Sequence, residues 1–407
     1  MLKRISLKVD RPSWTNAAPA FRHPCPGTFP KAQTTDVQVL GSLLQVGILT
    51  VPPKAASCSL AAYWAHVRYM TAVDLADDFL QLRREWENID AHQKTILSDD
   101  WGVGFTMHWL STHLCYREFC DGRYFIDRLK GLGIAKVDKP PKKRGTYKCP
   151  DFVTRDNIGK YHLVECKGTQ SSSAHLARQL QDGGPQKVNI IFSDEQNQVG
   201  QRLAAGIYVA GAKSKEPSLL AVADPPPRDR DKRSSENPVI VRIAHVEPER
   251  IADPLTRADM ARHLQLGGAP QLAAELFALP SRTVAQQRRR RIRFKQSLDS
   301  FRESAGVIED VWLGRTVHVP LAETIHYNDK LWRSVRLTHA VNRDYLKALS
   351  DYNPAGETLS AQLPAFRQTA IEAIFPDRTP LGWESVEEET RSVIVRAGIF
   401  RSELELE

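Results

Sequence analysis

No stretch of this sequence is apolar for long enough to span a bilayer. The best candidate, Val37 to Val51, is broken by Gln38, Ser42, Gln45 and Thr50, so it reads as buried core. Lys3 and Arg4 lead into no apolar run, which argues against a secretory leader. The six cysteines, at 25, 58, 115, 120, 149 and 166, form no C-x-x-C pair and no disulfide-like spacing. Neither a zinc framework nor an oxidised scaffold is therefore expected, and the thiols read as reduced, in a cytoplasmic chain. Histidines such as His113 and His162 lack the H-x-x-x-H spacing of a helical metal site. The absence of an internal repeat excludes a solenoid.

What is present is an ordinary globular balance. The chain has 407 residues, 42% hydrophobic and 26% charged, enough for two or three domains. Its net charge of +8 suits a polyanionic partner without naming one. Residues 1–35 show no period and read as an irregular lead-in. Tyr63, Val67, Val73, Leu75, Phe79, Leu82 and Trp86 recur at helical spacing, which predicts helix over about Leu60 to Leu97. A second helix is expected from Val103 to Phe119, capped at Asp99 or Asp100.

After Gly133 the texture changes. Lys136 to Lys148 is basic and Pro-rich, hence a loop. Asp151 to Thr154 and Tyr161 to Lys167 read as strands joined by turn-forming residues, a hairpin. Ser171, Ser172 and Ser173 cap a short helix over Ala174 to Gln181, halted at Gly183. Further strands are expected over Lys187 to Phe192, Gly206 to Ala210, Leu219 to Val222 and Val239 to Val246, with a polar loop over Pro225 to Asn237. Beyond Pro248 the chain reads as mainly helical. Three regions result: a mainly helical 1–98, an α/β segment 99–246, and a mainly helical 247–407.

The chemistry concentrates in residues 149–168, CPDFVTRDNIGKYHLVECKG. Side chains alternate across a strand, so Leu163, Glu165 and Lys167 share one face. The hairpin brings Asp151, fourteen positions before Glu165, onto the neighbouring strand. Two carboxylates so placed suit a hard cation such as Mg²⁺, which keeps several waters and takes phosphate oxygens as further ligands. A bound metal polarises a phosphate and acidifies a water. A lysine two residues from the carboxylate can orient that water and neutralise charge in the transition state.

At Pro150-Asp151 and Glu165-Cys166-Lys167 the sequence resembles the PD-(D/E)XK, or restriction-endonuclease-like, nuclease superfamily. The resemblance covers roughly 99–246 and implies a central mixed sheet flanked by helices. It also implies cleavage of nucleic acid with Mg²⁺, or Mn²⁺ in its place. Asp151 and Glu165 would be metal ligands and Lys167 the catalytic lysine. Many members carry a further acid on the helix before the hairpin, just after a Gly-x-x-Phe pattern. Here Thr106 follows Gly102-Val103-Gly104-Phe105, so that acid is missing; Glu118 or His108 could substitute, although each reads first as a surface or core residue. Gln179 and Gln181 stand where several relatives place a supporting residue, and N–H groups near Ser171 to Ser173 could hold a phosphate, although helix capping and solvation is the preferred reading for each.

Two basic segments complete the reading. Lys142, Lys143, Arg144 and Lys148 precede Asp151, and Arg288, Arg289, Arg290 and Arg291, extended by Arg293 and Lys295, form the densest charge in the chain. Both suit a phosphate backbone. The leading expectation is a DNA endonuclease, RNA not being excluded, acting as a homodimer or within a defence complex, with no membrane. By analogy such a chain serves restriction, anti-phage defence or mobile-element processing. A noncatalytic nucleic-acid-binding or scaffolding subunit on the same fold is the alternative. A purely helical adaptor would have no mixed sheet at all.

Overall fold

The structure, a computed structural model, describes residues 1–10, 13–14, 33–50, 66, 68–137, 149–156, 158–224, 240–279, 283–327, 329–352, 383–388, 390–396 and 399–407. The apolar segment Val39–Thr50 forms helix α1, buried from Val39 to Leu49. It follows strands β1 (Leu2–Asp10) and β2 (Gln33–Gln38), so the expected irregular lead-in contains two strands. In β1 every second residue, from Lys3 to Val9, is buried. Of the helix expected over Leu60 to Leu97, residues 60–65 and 67 lie outside the described residues, and the stretch from Thr71 to Asp90 does not form the expected helix. Bridges join Val73 to Leu82, Arg4 to Phe79 and Gln81 to Ala210, and a 3-10 turn spans Arg84–Asn88. Local spacing suggested a helix, whereas strand-like contacts with β1 and residue 210 hold the segment open.

Helix α2 (Ala91–Leu114) is capped by the Asp90 carboxylate, which accepts from the His92 N–H at 2.8 Å. It therefore begins earlier than Asp99 or Asp100, which lie inside it, and it stops before Glu118. There follow β3 (Glu118–Asp121), α3 (Gly122–Gly131), β4 (Ala135–Val137), β5 (Phe152–Arg155) and β6 (Tyr161–Thr169). Then come α4 (Ser173–Asp182), α5 (Gly184–Lys187), β7 (Ile190–Ile191), α6 (Glu195–Gln198), β8 (Val199–Tyr208), β9 (Leu219–Ala223) and β10 (Val241–Ile243). The strand expected over Lys187 to Phe192 shrinks to β7, because Gly184-Pro185 starts a helical turn.

Seven strands form a mixed sheet in the order β2-β1-β9-β8-β6-β5-β3. β6 runs parallel to β8 and antiparallel to β5. The small sheet β4-β10-β7 lies apart from it. One face of the large sheet packs against α1 and α2 through Leu43, Trp101, Phe105, Val164 and Leu203. β6 is buried along almost its whole length, as expected for an interior strand covered on both faces. The mixed sheet excludes a purely helical adaptor.

The region after 247 departs from expectation. Helices α7 (Pro248–Leu266), α8 (Pro270–Phe277) and α9 (Val284–Ser304) do form. They are followed by an antiparallel sheet, with β11 (Gly306–Ile308), β12 (Trp312–Tyr327), β13 (Lys330–Asn342), helix α10 (Arg343–Ala348), β14 (Trp383–Glu387), β15 (Arg391–Arg396) and β16 (Phe400–Leu406). Apolar residues at every second position, as at Val317 and Val319 or Val335 and Leu337, carry a period of two, which suits strand and not helix. Leu337 and Leu404 of this sheet enter the same core as α1 and α2. Phe400 joins Phe125, Leu163, Leu255 and Phe294 in the second core. Among the described residues no helix is long and apolar enough to cross a membrane.

Candidate active site

The hairpin forms with Phe152 opposite Val164 and Arg155 opposite Tyr161. Its turn is held by Asp156, whose carboxylate accepts from the N–H groups of Ile158 at 3.0 Å and Lys160 at 2.9 Å. Asp151, at the mouth of β5, is tied across to β6, where its carboxylate accepts from the Cys166 N–H at 2.8 Å. That contact sets it beside the backbone between Glu165 and Lys167. The Lys167 ammonium donates to Glu165 Oε1, while Oε2 of the same carboxylate is buried without a hydrogen-bond partner. The structure thus brings Asp151, Glu165 and Lys167 together.

Their electrostatics follow from this crowding. Burial and the neighbouring Asp151 push the Glu165 carboxyl up to about 7, against the pull of Lys167. Desolvation likewise raises Asp151, with Asp99 and Asp121 adding to the effect, although one side of the residue stays open to solvent. Burial pulls Lys167 down, but Glu165 and Asp151 outweigh it and hold the ammonium above its ordinary range. Lys167 is charged at neutral pH, and Glu165 sits at its titration point.

Asp99 is the acid that the sequence reading missed. It was taken as a helix cap, but α2 starts eight residues earlier, so Asp99 lies on its wall one turn before Gly102. α2 presses on β6 there. A methyl group on Gly168 would come within 1.7 Å of the Ser98 carbonyl oxygen, and one on Gly102 within 2.7 Å of the Lys167 carbonyl. Only glycines allow this approach. It brings Asp99 near enough for its charge to act on both Lys167 and Asp151. The usable signal was Gly102 itself, read toward its N-terminal side.

Glu118 is not part of this group. It lies on β3, where Arg155 pairs with it at 2.5 Å and the Thr256 hydroxyl donates to it at 3.0 Å. It pairs in register with Arg155, at the end of the hairpin remote from Asp151. His108 is buried, and desolvation lowers its pKa to about 3, so it is a neutral core residue. Around Ser171 to Ser173 the structure shows the preferred reading, helix capping. The N–H groups of Ser171 and Ser173 donate to Thr169 Oγ1 and Glu216, and Ser172 caps α4 by accepting from His175.

Gly183, at the end of α4, lies against Glu165, 3.0 Å from its Cγ for an added Cβ. Gln179, on the preceding turn, keeps its side-chain oxygen buried and without a partner, while Gln181 is half-buried on the same helix. The basic residues divide. Lys142, Lys143, Arg144 and Lys148 lie outside the described residues. Arg288, Arg289 and Arg291 are exposed on α9 and make no ion pair with a described residue. Arg290 is instead buried, donating to the carbonyls of Glu275, Ala278 and Leu279 at the end of α8, so it is a structural cap and cannot grip a phosphate. His162 belongs to a buried chain in which Tyr116 lies 3.0 Å from its Nδ1 and Asp156 2.9 Å from its Nε2. Fully enclosed, that cluster is structural.

Compared with models of known families, with curated proteins and with solved structures, the chain matches none.

Asp151 and Glu165 suit a hard cation. Asp151 raises the proton affinity of the buried Glu165, and one Glu165 oxygen lacks any partner. Among the described residues, no three His, Cys, Asp or Glu side chains gather closely enough to hold a metal unaided. Waters and a phosphate would have to complete the shell.

Proposed function

We propose that this chain is a Mg²⁺-dependent nuclease of PD-(D/E)XK type that hydrolyses phosphodiester bonds of DNA. The observation that carries the reading is the convergence of Asp151, Glu165 and Lys167 on one hairpin, with one buried Glu165 oxygen left unpartnered. Asp151 and Glu165 would hold the ion, with Asp99 on the facing helix. When bound, Mg²⁺ supplies polarisation of the phosphate and an acidified water. Lys167, kept charged by its neighbours, neutralises the phosphate oxygens and orients the attacking water. Gly183, at the end of α4, packs against the buried Glu165, which keeps bulk water off that carboxylate.

Exposed Arg288, Arg289 and Arg291 supply sequence-independent affinity for the phosphate backbone. One observation favours a binding-only role on the same fold: Lys167 already neutralises Glu165. Plasmid and linear single strands incubated with Mg²⁺, Mn²⁺ or EDTA separate the two readings. A nuclease cuts with either metal and not with EDTA, and single alanine substitutions at Asp151, Glu165 or Lys167 each remove nearly all cutting, because residues acting as a unit lose activity together. Wild-type cleavage by Glu165→Ala would sink the assignment.

A further inference from the structure

Beside the carboxylates lies a cleft of about 640 Å³ between the first half of α2 and the start of α4, beyond the end of β6. Asp99 and Gly168, the residue after Lys167, stand in its wall, so it borders the site described above. The size is that of a pocket for one small organic molecule (about 300–1,000 Å³). Lys94, half-buried in the wall, has no acidic partner among the described residues. Gln179 presents the buried oxygen that no donor satisfies. The other acid of the wall, Glu87, is already taken: it accepts from the Lys213 N–H at 2.9 Å and pairs with the Lys213 ammonium at 3.3 Å.

A lone cation and a lone buried acceptor ask for a ligand with an anion at one end and an N–H or O–H donor at the other. A nucleotide carries both, a phosphate and the amino or imino edge of its base. In a duplex that edge is paired and stacked, and swinging it out costs a few kcal/mol. An unpaired strand offers it freely.

We propose, building on the nuclease reading, that this cleft seats an unpaired nucleotide of the strand being cut, with Lys94 on its phosphate and Gln179 accepting from its base. The substrate class is therefore single-stranded DNA, or duplex ends and flaps that expose a free strand. Asp99 at the boundary between cleft and carboxylates sets the scissile phosphate next to the seated nucleotide.

The test is binding of a fluorescent single-stranded oligodeoxynucleotide and of a blunt duplex of equal length by the whole chain in EDTA. Wild type should prefer the single strand by about tenfold or more. Thr95 is an exposed residue of the cleft wall. Thr95→Trp, which fills the cleft, and Lys94→Ala should each weaken single-strand binding about tenfold while sparing duplex binding and the melting temperature. No strand preference in wild type, or unchanged single-strand binding by Thr95→Trp, overturns the cleft as a nucleotide seat. Cutting by Thr95→Trp at the wild-type rate overturns the cleft and leaves the nuclease reading intact. Selective binding without any cutting in Mg²⁺ does the reverse.

Discussion

Replacing Glu165 with glutamine should make the metal-free protein more stable at alkaline pH, by an amount that depends on pH. An ordinary glutamate ionises near 4.5 and Glu165 at about 7, raised first by burial and then by Asp151. The folded chain therefore binds this proton more tightly than the unfolded chain does. Stability from that proton is fully present below 4.5 and is lost as pH rises through 7. At about 1.4 kcal/mol for each tenfold change in proton affinity, the charged carboxylate costs the fold about 3 kcal/mol by pH 8. Glutamine resembles the protonated acid, leaves Lys167 in place and escapes this loss. Urea denaturation of both proteins in EDTA at several pH values between 4.5 and 8 reads the difference directly. Near pH 4.5 the two curves should coincide, and the variant's advantage should grow to about 3 kcal/mol at pH 8. An advantage that is constant over that range, or a variant weaker at pH 8, would refute the coupling between burial and charge at this site. Since the variant also loses its metal-binding oxygen, the gain in stability should accompany a loss of cutting.

Gly168→Ala should lower stability by at least about 3 kcal/mol in the same denaturation assay, because its methyl group must displace the Ser98 carbonyl and lift α2 from β6. Asp99→Asn should cut cleavage at least tenfold, with an unchanged melting temperature, since desolvation already raises the pKa of this acid; unchanged cleavage removes it from the site. Arg290→Ala should destabilise the fold by about 2–4 kcal/mol through the carbonyls it leaves unpaired. The combined Arg288→Ala, Arg289→Ala and Arg291→Ala protein should melt normally and bind DNA with a shallower dependence on salt. If Arg290→Ala melts normally, the buried cap has been misread.

How much was legible depended on how far apart in the chain the partners lie. The hairpin of β5 and β6, the helix α4 and the charged triplet followed from local rules, because alternation, turn chemistry and a serine cap act within a few residues. Asp99 escaped because its role depends on two glycines 66 positions apart, Gly102 and Gly168, letting two elements touch. Arg290 escaped for a similar reason: four adjacent arginines look alike until the end of α8 comes within reach of one of them. In the C-terminal half the alternation of β12 and β13 was present in the sequence, but the charged residues between the apolar ones concealed it.

The position of β1 bears on how the chain is made. It lies between β2 and β9, with Ser6 facing Thr34 on one side and Leu219 on the other. β2 emerges soon after it from the ribosome and can cover one edge at once. The other edge stays bare until roughly 200 further residues have been added, about 10–40 s at ordinary elongation rates. An apolar strand with a free edge is a template for unwanted pairing during that time. Slowing elongation between residues 40 and 219 should therefore lower the yield of folded protein, and holding chaperones should restore it.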